Sequence, residues 1–322
     1  MVLLLTGAGG HIGNGVAKAA LSNGQKVIAP YRGSAPPQSA KDLGSGIDWV
    51  ACDLTDPRSV EKLANSFPIE RCIHCAAVPN EAFARPDPLG TIGANITATA
   101  NLLEQARLKT WERLVLVSTG SVYQRQPVLG ETILEDEPPQ PRDVYSTTKT
   151  AAEMLCQMYR SEYGLSSSVV RISWVYGPPI VAHDLTRGPI PSFLLRVLKE
   201  EKIEEGGADF AVSFTFVEDV ANGLLSAALA ENLNHPCYHL GPGRNISLGE
   251  VAAAIKKAVP TADIALSPGT EPWTRFTALR DPLAGTKLFD DTGWESRVSI
   301  DEGVKRYTDW LLSVPEFWQE IN

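Results

Sequence analysis

The sequence predicts an α/β fold, a doubly wound parallel sheet with helices on both faces, and three observations carry that expectation. Short apolar runs alternate with helix-length stretches from Val2 to Ile172. A glycine-rich turn, Thr6-Gly7-Ala8-Gly9-Gly10-His11-Ile12-Gly13, joins the first apolar run to the first helix. The chain has 322 residues and 43% hydrophobic content, enough to bury a large core. In order, the pattern gives a strand at Val2–Leu5, a helix at Gly13–Ser22 and a strand at Lys26–Ala29. Trp49–Ala51, Arg71–Ala76 and Arg113–Ser118 read as further strands, with helices at Ser59–Ser66 and Ile92–Arg107 between them. A helix over Asp143–Tyr163 leads to a strand at Ser167–Ile172. From Trp174 the periodicity changes, interrupted by Pro178, Pro179, Pro189 and Pro191, and the chain reads as a smaller C-terminal lobe. No internal repeat or low-complexity segment is evident.

Strand, glycine turn and helix in that order are what a dinucleotide pyrophosphate needs. It binds free backbone N–H groups at a helix N-terminus, where side chains would obstruct its approach. Gly7, Gly10 and Gly13 supply the open positions, with His11 and Ile12 beginning the helix, so the fold is expected to be Rossmann-type. The spacing, G-x-x-G-x-x-G, differs from the commoner G-x-G-x-x-G. The second signal is Tyr145-Ser-Thr-Thr-Lys149. Residues four apart share a helix face, so phenol and ammonium reach one cleft. A neighbouring ammonium and an oxidised nicotinamide both favour the phenolate, which suits Tyr145 to acid/base work near neutrality.

Composition excludes several functions. A net charge of −9 and a pI near 5.2 argue against nucleic acid and anionic membrane as partners, since both need clustered Lys and Arg. No run approaches the ~20 apolar residues that span a bilayer, and the N-terminal run is too short for a signal peptide. The expectation is a cytoplasmic protein. Five cysteines, few and odd in number, fit reduced thiols. Cys72-Ile-His-Cys75 looks like half a metal site, but alternate strand residues face opposite sides and no second half completes it, so no metal is expected.

The ordered motifs resemble the extended short-chain dehydrogenase/reductase family, the NAD(P)-dependent epimerase/dehydratase group. The resemblance runs through the glycine turn, Asp53-Leu54, Ile73-His74-Cys75-Ala76-Ala77, Asn95, the Leu116–Tyr123 segment and Tyr145 with Lys149. It continues through Arg171 to Pro178, Val217-Glu218-Asp219-Val220, Tyr238 to Gly243, Thr292-Gly293-Trp294 and Asp301-Glu302-Gly303. The resemblance implies that Thr119 hydrogen-bonds the substrate oxygen, that Asn95 organises the active-site helix or a relay water, and that Lys149 holds the ribose hydroxyls. It places Asp53 and Leu54 at the adenine, although Asp53-Leu-Thr-Asp-Pro57 equally reads as a turn, and packs Ala76 and Ala77 on the cofactor. It implies a dinucleotide-binding domain of residues 1–173 plus about 212–240, and a substrate-binding lobe of about 174–211 plus 241–322. It also implies a homodimer paired through the helices at Ile92–Arg107 and Asp143–Tyr163.

Departures from the family pattern bear on cofactor and reaction. NAD-specific relatives place an acidic residue where Tyr31 stands, and Arg32 follows it, which favours NADP over NAD because a guanidinium suits a 2′-phosphate. Gly120 and Ser121 stand where 4,6-dehydratases carry Asp-Glu, which removes the carboxylates for elimination. Val212-Ser213 stands where many nucleotide-sugar enzymes have Arg-Asp, so a diphosphate would need Arg187, Arg275 or Arg280 instead. Trp174 replaces a smaller polar residue near the substrate. The leading expectation is an NAD(P)-dependent oxidoreductase. It moves a hydride between nicotinamide and a carbinol or carbonyl carbon of a small hydroxylated or sugar-like compound. The alternatives are a sugar or nucleotide-sugar epimerase using transient oxidation, and a non-catalytic dinucleotide sensor, which the intact Thr119, Tyr145 and Lys149 argue against.

Overall fold

A computed structural model describes residues 1–124 and 131–319. Seven parallel strands form the central sheet. β1 (Val2–Thr6), β2 (Lys26–Tyr31), β3 (Ile47–Ala51), β4 (Arg71–His74), β5 (Arg113–Thr119) and β6 (Ser167–Ile172) are joined by a last strand, Cys237–Leu240. Their order across the sheet is β3, β2, β1, β4, β5, β6 and Cys237–Leu240, every pairing parallel. Strand order reverses between β1 and β4, and the crevice beyond the strand ends at such a switch point is where dinucleotides bind. All seven residues of β5 and all six of β6 are buried, as expected for central strands covered on both faces.

Two apolar layers flank the sheet. One gathers Leu3, Leu5, Val115 and Val170 under the helices His11–Ser22 and Val217–Leu229, where Gly15 lets the backbones meet against Val217 and Ala221. The other packs Leu4, Leu114, Leu116 and Val169 under the helices Pro57–Ser66, Ala98–Leu108 and Val144–Tyr163. A third core, with Phe193, Phe210, Phe214, Val251 and Tyr307, belongs to the C-terminal lobe. There Trp174–Tyr176 pairs with Phe214–Phe216 in a separate two-stranded sheet. Residues 214–216 therefore join the lobe, and the chain regains the central layers with the Val217–Leu229 helix.

Several boundaries differ from the sequence pattern for local reasons. The first helix starts at His11, before Gly13, because Gly10 already has the extended backbone of an N-cap. β4 stops at His74, where Cys75 N–H donates to the Thr6 carbonyl at 3.3 Å. The predicted Ile92–Arg107 helix contains a π turn at Gly93–Thr97 that places Asn95 inside the molecule. Among the described residues no helix is long and apolar enough to cross a membrane, and no cluster of three His, Cys, Asp or Glu could hold a metal. Cys72 lies in the core, and Cys75 faces the cavity described next.

Candidate active site

The C-terminal ends of β1, β4 and β5 open into a cavity of about 700 Å³, within the range of small-molecule sites. Its floor is the glycine turn. Gly7 has φ +72° and lies against Ala76, where a Cβ would approach the Ala76 nitrogen to 2.7 Å. A Cβ on Gly13 would stand 2.1 Å from the Gly7 oxygen, so only glycine lets the helix start this close to the turn. The His11–Ser22 helix has no side-chain cap and no acidic residue in its first turn, leaving its N-terminal N–H groups and positive dipole end toward the cavity.

The Val144–Tyr163 helix carries the predicted Tyr145 and Lys149 pair. An Asp143–Ser146 capping box starts it, and Gly164 in the left-handed conformation ends it. Tyr145 and Lys149 both line the cavity, and the Tyr145 N–H donates to Glu81 Oε2 at 3.0 Å. Burial raises the Tyr145 phenol to about 12, opposed by a hydrogen bond with the Thr119 hydroxyl and by the charge of Arg280. Burial lowers the Lys149 ammonium to about 8, opposed by Glu153 and Cys75. Its Nζ donates to the Val117 carbonyl at 2.7 Å. Thr119 ends β5, lines the cavity and accepts from the Ser121 N–H at 3.0 Å.

Asn95 stands behind this group. Its Oδ1 accepts from Val78 N–H at 2.8 Å and its Nδ2 donates to Thr148 Oγ1 at 3.0 Å, while Thr148 donates to the Tyr145 carbonyl at 2.9 Å. Both ends of the amide are thus used to tie the Val144–Tyr163 helix to the loop after β4. One turn beyond Lys149, Glu153 is 2% exposed and forms an ion pair of 2.7 Å with equally buried Arg171. Ser118 Oγ also donates to Glu153, and Arg171 reaches Tyr123, which bonds His239 Nε2 at 2.9 Å. Arg171 is therefore a core residue rather than a ligand of the cavity.

The remaining predicted residues spread along the turn. His11 Nε2 hydrogen-bonds the Gly177 carbonyl at 2.9 Å, and burial lowers the imidazole to about 4, so it joins the glycine turn to the lobe as a neutral ring. Ile12 and Ala77 line the cavity, whereas Ala76 packs behind the turn with its N–H on Thr6 Oγ1 at 3.1 Å. Asp53 Oδ1 accepts from Thr55 N–H and Oγ1 at 2.9 and 2.8 Å, so the turn reading holds for that oxygen. Leu54 packs under β4 and its carbonyl accepts from Asn101 Nδ2 at 2.9 Å. Arg32 is exposed just past β2, near Asp53, and is outside the cavity. Arg187, Arg275 and Arg280 also line the cavity, with Arg280 near enough to Tyr145 and Asp143 for their charges to interact.

A family model for the NAD dependent epimerase/dehydratase family matches residues 3–241. The chain belongs to that family. Among relatives of this enzyme family, a UDP-glucuronate 4-epimerase of Thermodesulfobacterium geofontis is 28% identical over 95% of this chain and 95% of its own. A UDP-glucose 4-epimerase of Mycolicibacterium smegmatis is 28% identical, covering 97% and 98%. The solved UDP-glucose 4-epimerase of Thermus thermophilus, in complex with NAD, superposes with a TM-score of 0.83 at 26% identity, over 96% of this chain and 98% of that one.

The residues present fit the family's dinucleotide. The glycine cradle that a Cβ would fill and the uncapped helix start suit a pyrophosphate, and Lys149 lines the same cavity. Sequence reasoning missed Glu81, whose carboxylate fixes the backbone of Tyr145 from 64 residues away, and Gln124, which donates to Ser146 Oγ at 3.1 Å. No local pattern marks either one. Asp143 was readable only as the start of a helix, yet it also faces Tyr145 and Arg280.

Proposed function

We propose that this protein is a nucleotide-sugar 4-epimerase. The bound nicotinamide supplies a hydride acceptor and donor for transient oxidation of a sugar carbinol. The observation that carries this reading is that Arg187, Arg275 and Arg280 line the same cavity as Tyr145 and Thr119. Such a lining suits a substrate with a diphosphate, which needs cationic partners where water is excluded. It also answers the loss of Arg-Asp at Val212-Ser213. Relatives that are UDP-sugar 4-epimerases over nearly their full lengths support the same choice.

In this reading Tyr145 takes the carbinol proton and returns it. Thr119 holds the substrate oxygen, and Lys149 favours the phenolate while binding the ribose. Asn95 fixes the catalytic helix. Gly7, Gly10, His11, Ile12 and Gly13 form the pyrophosphate turn, with Asp53 and Leu54 at the adenine and Ala76 and Ala77 packed on the cofactor. Residues 1–173 and 217–240 form the dinucleotide side in this reading, and the rest forms the substrate lobe, which takes residues 212–216 from the expected 212–240 segment. A net oxidoreductase is the second reading, favoured by Gly120 and Ser121, which leave simple carbinol chemistry without elimination.

NADP is the proposed cofactor, with NAD the alternative found in the Thermus thermophilus relative. Arg32 supports it weakly because it is exposed. A homodimer is proposed through the expected Ile92–Arg107 and Asp143–Tyr163 helices, which the fold gives as the π turn Gly93–Thr97 with Ala98–Leu108 and as Val144–Tyr163, and at which Ile92, Leu108, Met154 and Met158 are exposed. Five unpaired cysteines fit the cytoplasm.

The test is product analysis of UDP-sugars with catalytic cofactor. Interconversion at the sugar 4-position without net cofactor turnover supports the epimerase. Stoichiometric reduction or oxidation of the cofactor supports the oxidoreductase, and turnover of neither kind rejects both.

A further inference from the structure

The three arginines of the cavity do not stand in one place. Arg280 is near Tyr145 and Asp143, and Arg275 stacks on the adjacent Phe276 at 4.7 Å. Arg187 instead belongs beside the glycine turn. It ends the Leu185–Arg187 turn of the C-terminal lobe, where the Thr186 carbonyl accepts from Asn80 Nδ2 at 3.3 Å. Its guanidinium lies over the Phe83 ring at 4.6 Å. Asn80 and Phe83 follow β4 in the segment whose Ala76 lies against Gly7. The charge of Arg187 also reaches His11, the first residue of the helix that the glycine turn opens. His11 itself joins the same lobe, since its Nε2 donates to the Gly177 carbonyl at 2.9 Å.

The half-buried Arg187 guanidinium has no ion pair or hydrogen bond among the described residues. Asp184 favours its charge without forming an ion pair, and burial works against it. The Asp184 Oδ1 is taken by the Thr186 N–H at 2.7 Å and by the Thr186 hydroxyl, and Asp184 does not line the cavity. Two carboxylates do line it, Glu81 and Asp143, and both are engaged elsewhere. Glu81 Oε2 accepts from the Tyr145 N–H at 3.0 Å, and Asp143 accepts from the Ser146 N–H at 2.7 Å and Gln124 Nε2 at 2.5 Å.

The glycine turn shows the converse lack. It offers backbone N–H groups and a helix dipole worth about half a unit charge, whereas a pyrophosphate brings two negative charges. Its one titratable side chain, His11, is lowered to about 4 and is neutral. A guanidinium fork matches phosphate oxygens, and a partly buried cation gains most from an anion that shares its desolvated site. We propose that Arg187 binds the pyrophosphate of the dinucleotide at the glycine turn rather than the diphosphate of the substrate. Phe83 holds the plane of the guanidinium, and the bound dinucleotide ties the Leu185–Arg187 turn of the lobe to the helix start at His11. This rests on the family's dinucleotide and narrows the nucleotide-sugar reading, leaving Arg275 and Arg280 for the substrate.

Calorimetric titration with NAD, NADP and ADP-ribose, and with UDP on cofactor-saturated protein, tests it. Arg187→Gln is expected to lower the affinity for NAD, NADP and ADP-ribose alike by about tenfold or more, the scale of a lost charge-assisted hydrogen bond, with UDP binding unchanged. A contact to the 2′-phosphate would instead affect NADP alone. Arg187→Lys should regain part of the loss, and Phe83→Leu, which keeps the charge, should produce a smaller one. These two variants decide the matter if Arg187→Gln does not fold. Unchanged dinucleotide affinity in the Arg187 variants, a loss confined to NADP, or a fall in UDP affinity as large as that for the dinucleotides overturns the proposal. A fall for UDP alone also overturns it while leaving the nucleotide-sugar reading standing. Failure of UDP to bind the wild type overturns that reading, and the dinucleotide titrations then still decide the role of Arg187.

Discussion

The two walls of the cavity are built on opposite principles. On and behind the wall that carries Tyr145 and Lys149 the polar groups are already paired: Lys149 with Val117 and Thr119 with Ser121 at the cavity, Asn95 with Val78 and Thr148 and Glu153 with Arg171 in the core behind it. On the arginine side of the lining, Arg187 and Arg275 meet aromatic faces, and Arg280 feels the charges of Asp143 and Tyr145. The first wall is rigid before any ligand arrives, which is what positioning a proton donor requires. The second carries its charge without such pairs, so under the proposed function its effects are expected in binding and specificity rather than in folding.

The comparison breaks first at Tyr145. Tyr145→Phe should lower turnover by about 10²–10⁴-fold with little change in cofactor affinity, because only the transferable proton is lost. Steady-state kinetics with cofactor titration checks this, and retention of more than about a tenth of the activity would remove Tyr145 from the mechanism. Next in size is Glu153→Gln, which leaves the buried Arg171 guanidinium without its counter-ion and should cost about 3–5 kcal/mol of stability. Arg275→Gln on the other wall should stay within about 0.5 kcal/mol. Chemical denaturation compares the two directly, and similar losses would contradict the contrast between a paired wall and an unpaired one.

A smaller effect comes from pH. Because burial lowers Lys149 to about 8, the cofactor-free protein carries its charge below that pH and loses it above. Cofactor affinity should therefore fall as pH rises through about 8, and Lys149→Met should be weaker throughout and lack this inflection. Calorimetry from neutral to alkaline pH reads the profile. The smallest effect is at Arg32, outside the cavity and exposed to screening. Arg32→Ala should reduce NADP affinity relative to NAD by no more than about fivefold, since exposed ion pairs contribute about 0–1 kcal/mol. Parallel titrations of both cofactors measure it, and an unchanged ratio would leave Arg32 as a solvated loop residue.

Much of this was legible in the chain. Alternating apolar and helical segments specify the parallel sheet, because buried central strands must be apolar on both faces. The glycine turn and the Tyr145–Lys149 spacing are local signals, since each works within one turn or one helix. What the sequence could not determine is which distant groups meet. Asn95 enters the interior through a π turn, Glu81 reaches the backbone of Tyr145, and Phe214–Phe216 pairs with Trp174–Tyr176 away from the central sheet. Arg187, Arg275 and Arg280 were only three separate arginines until folding set them around one cavity. Periodicity fixes how a segment presents its faces to its neighbours. Which buried charge finds a counter-ion, and which is left for a substrate, depends on packing between segments far apart in sequence, and so is decided only by the tertiary structure.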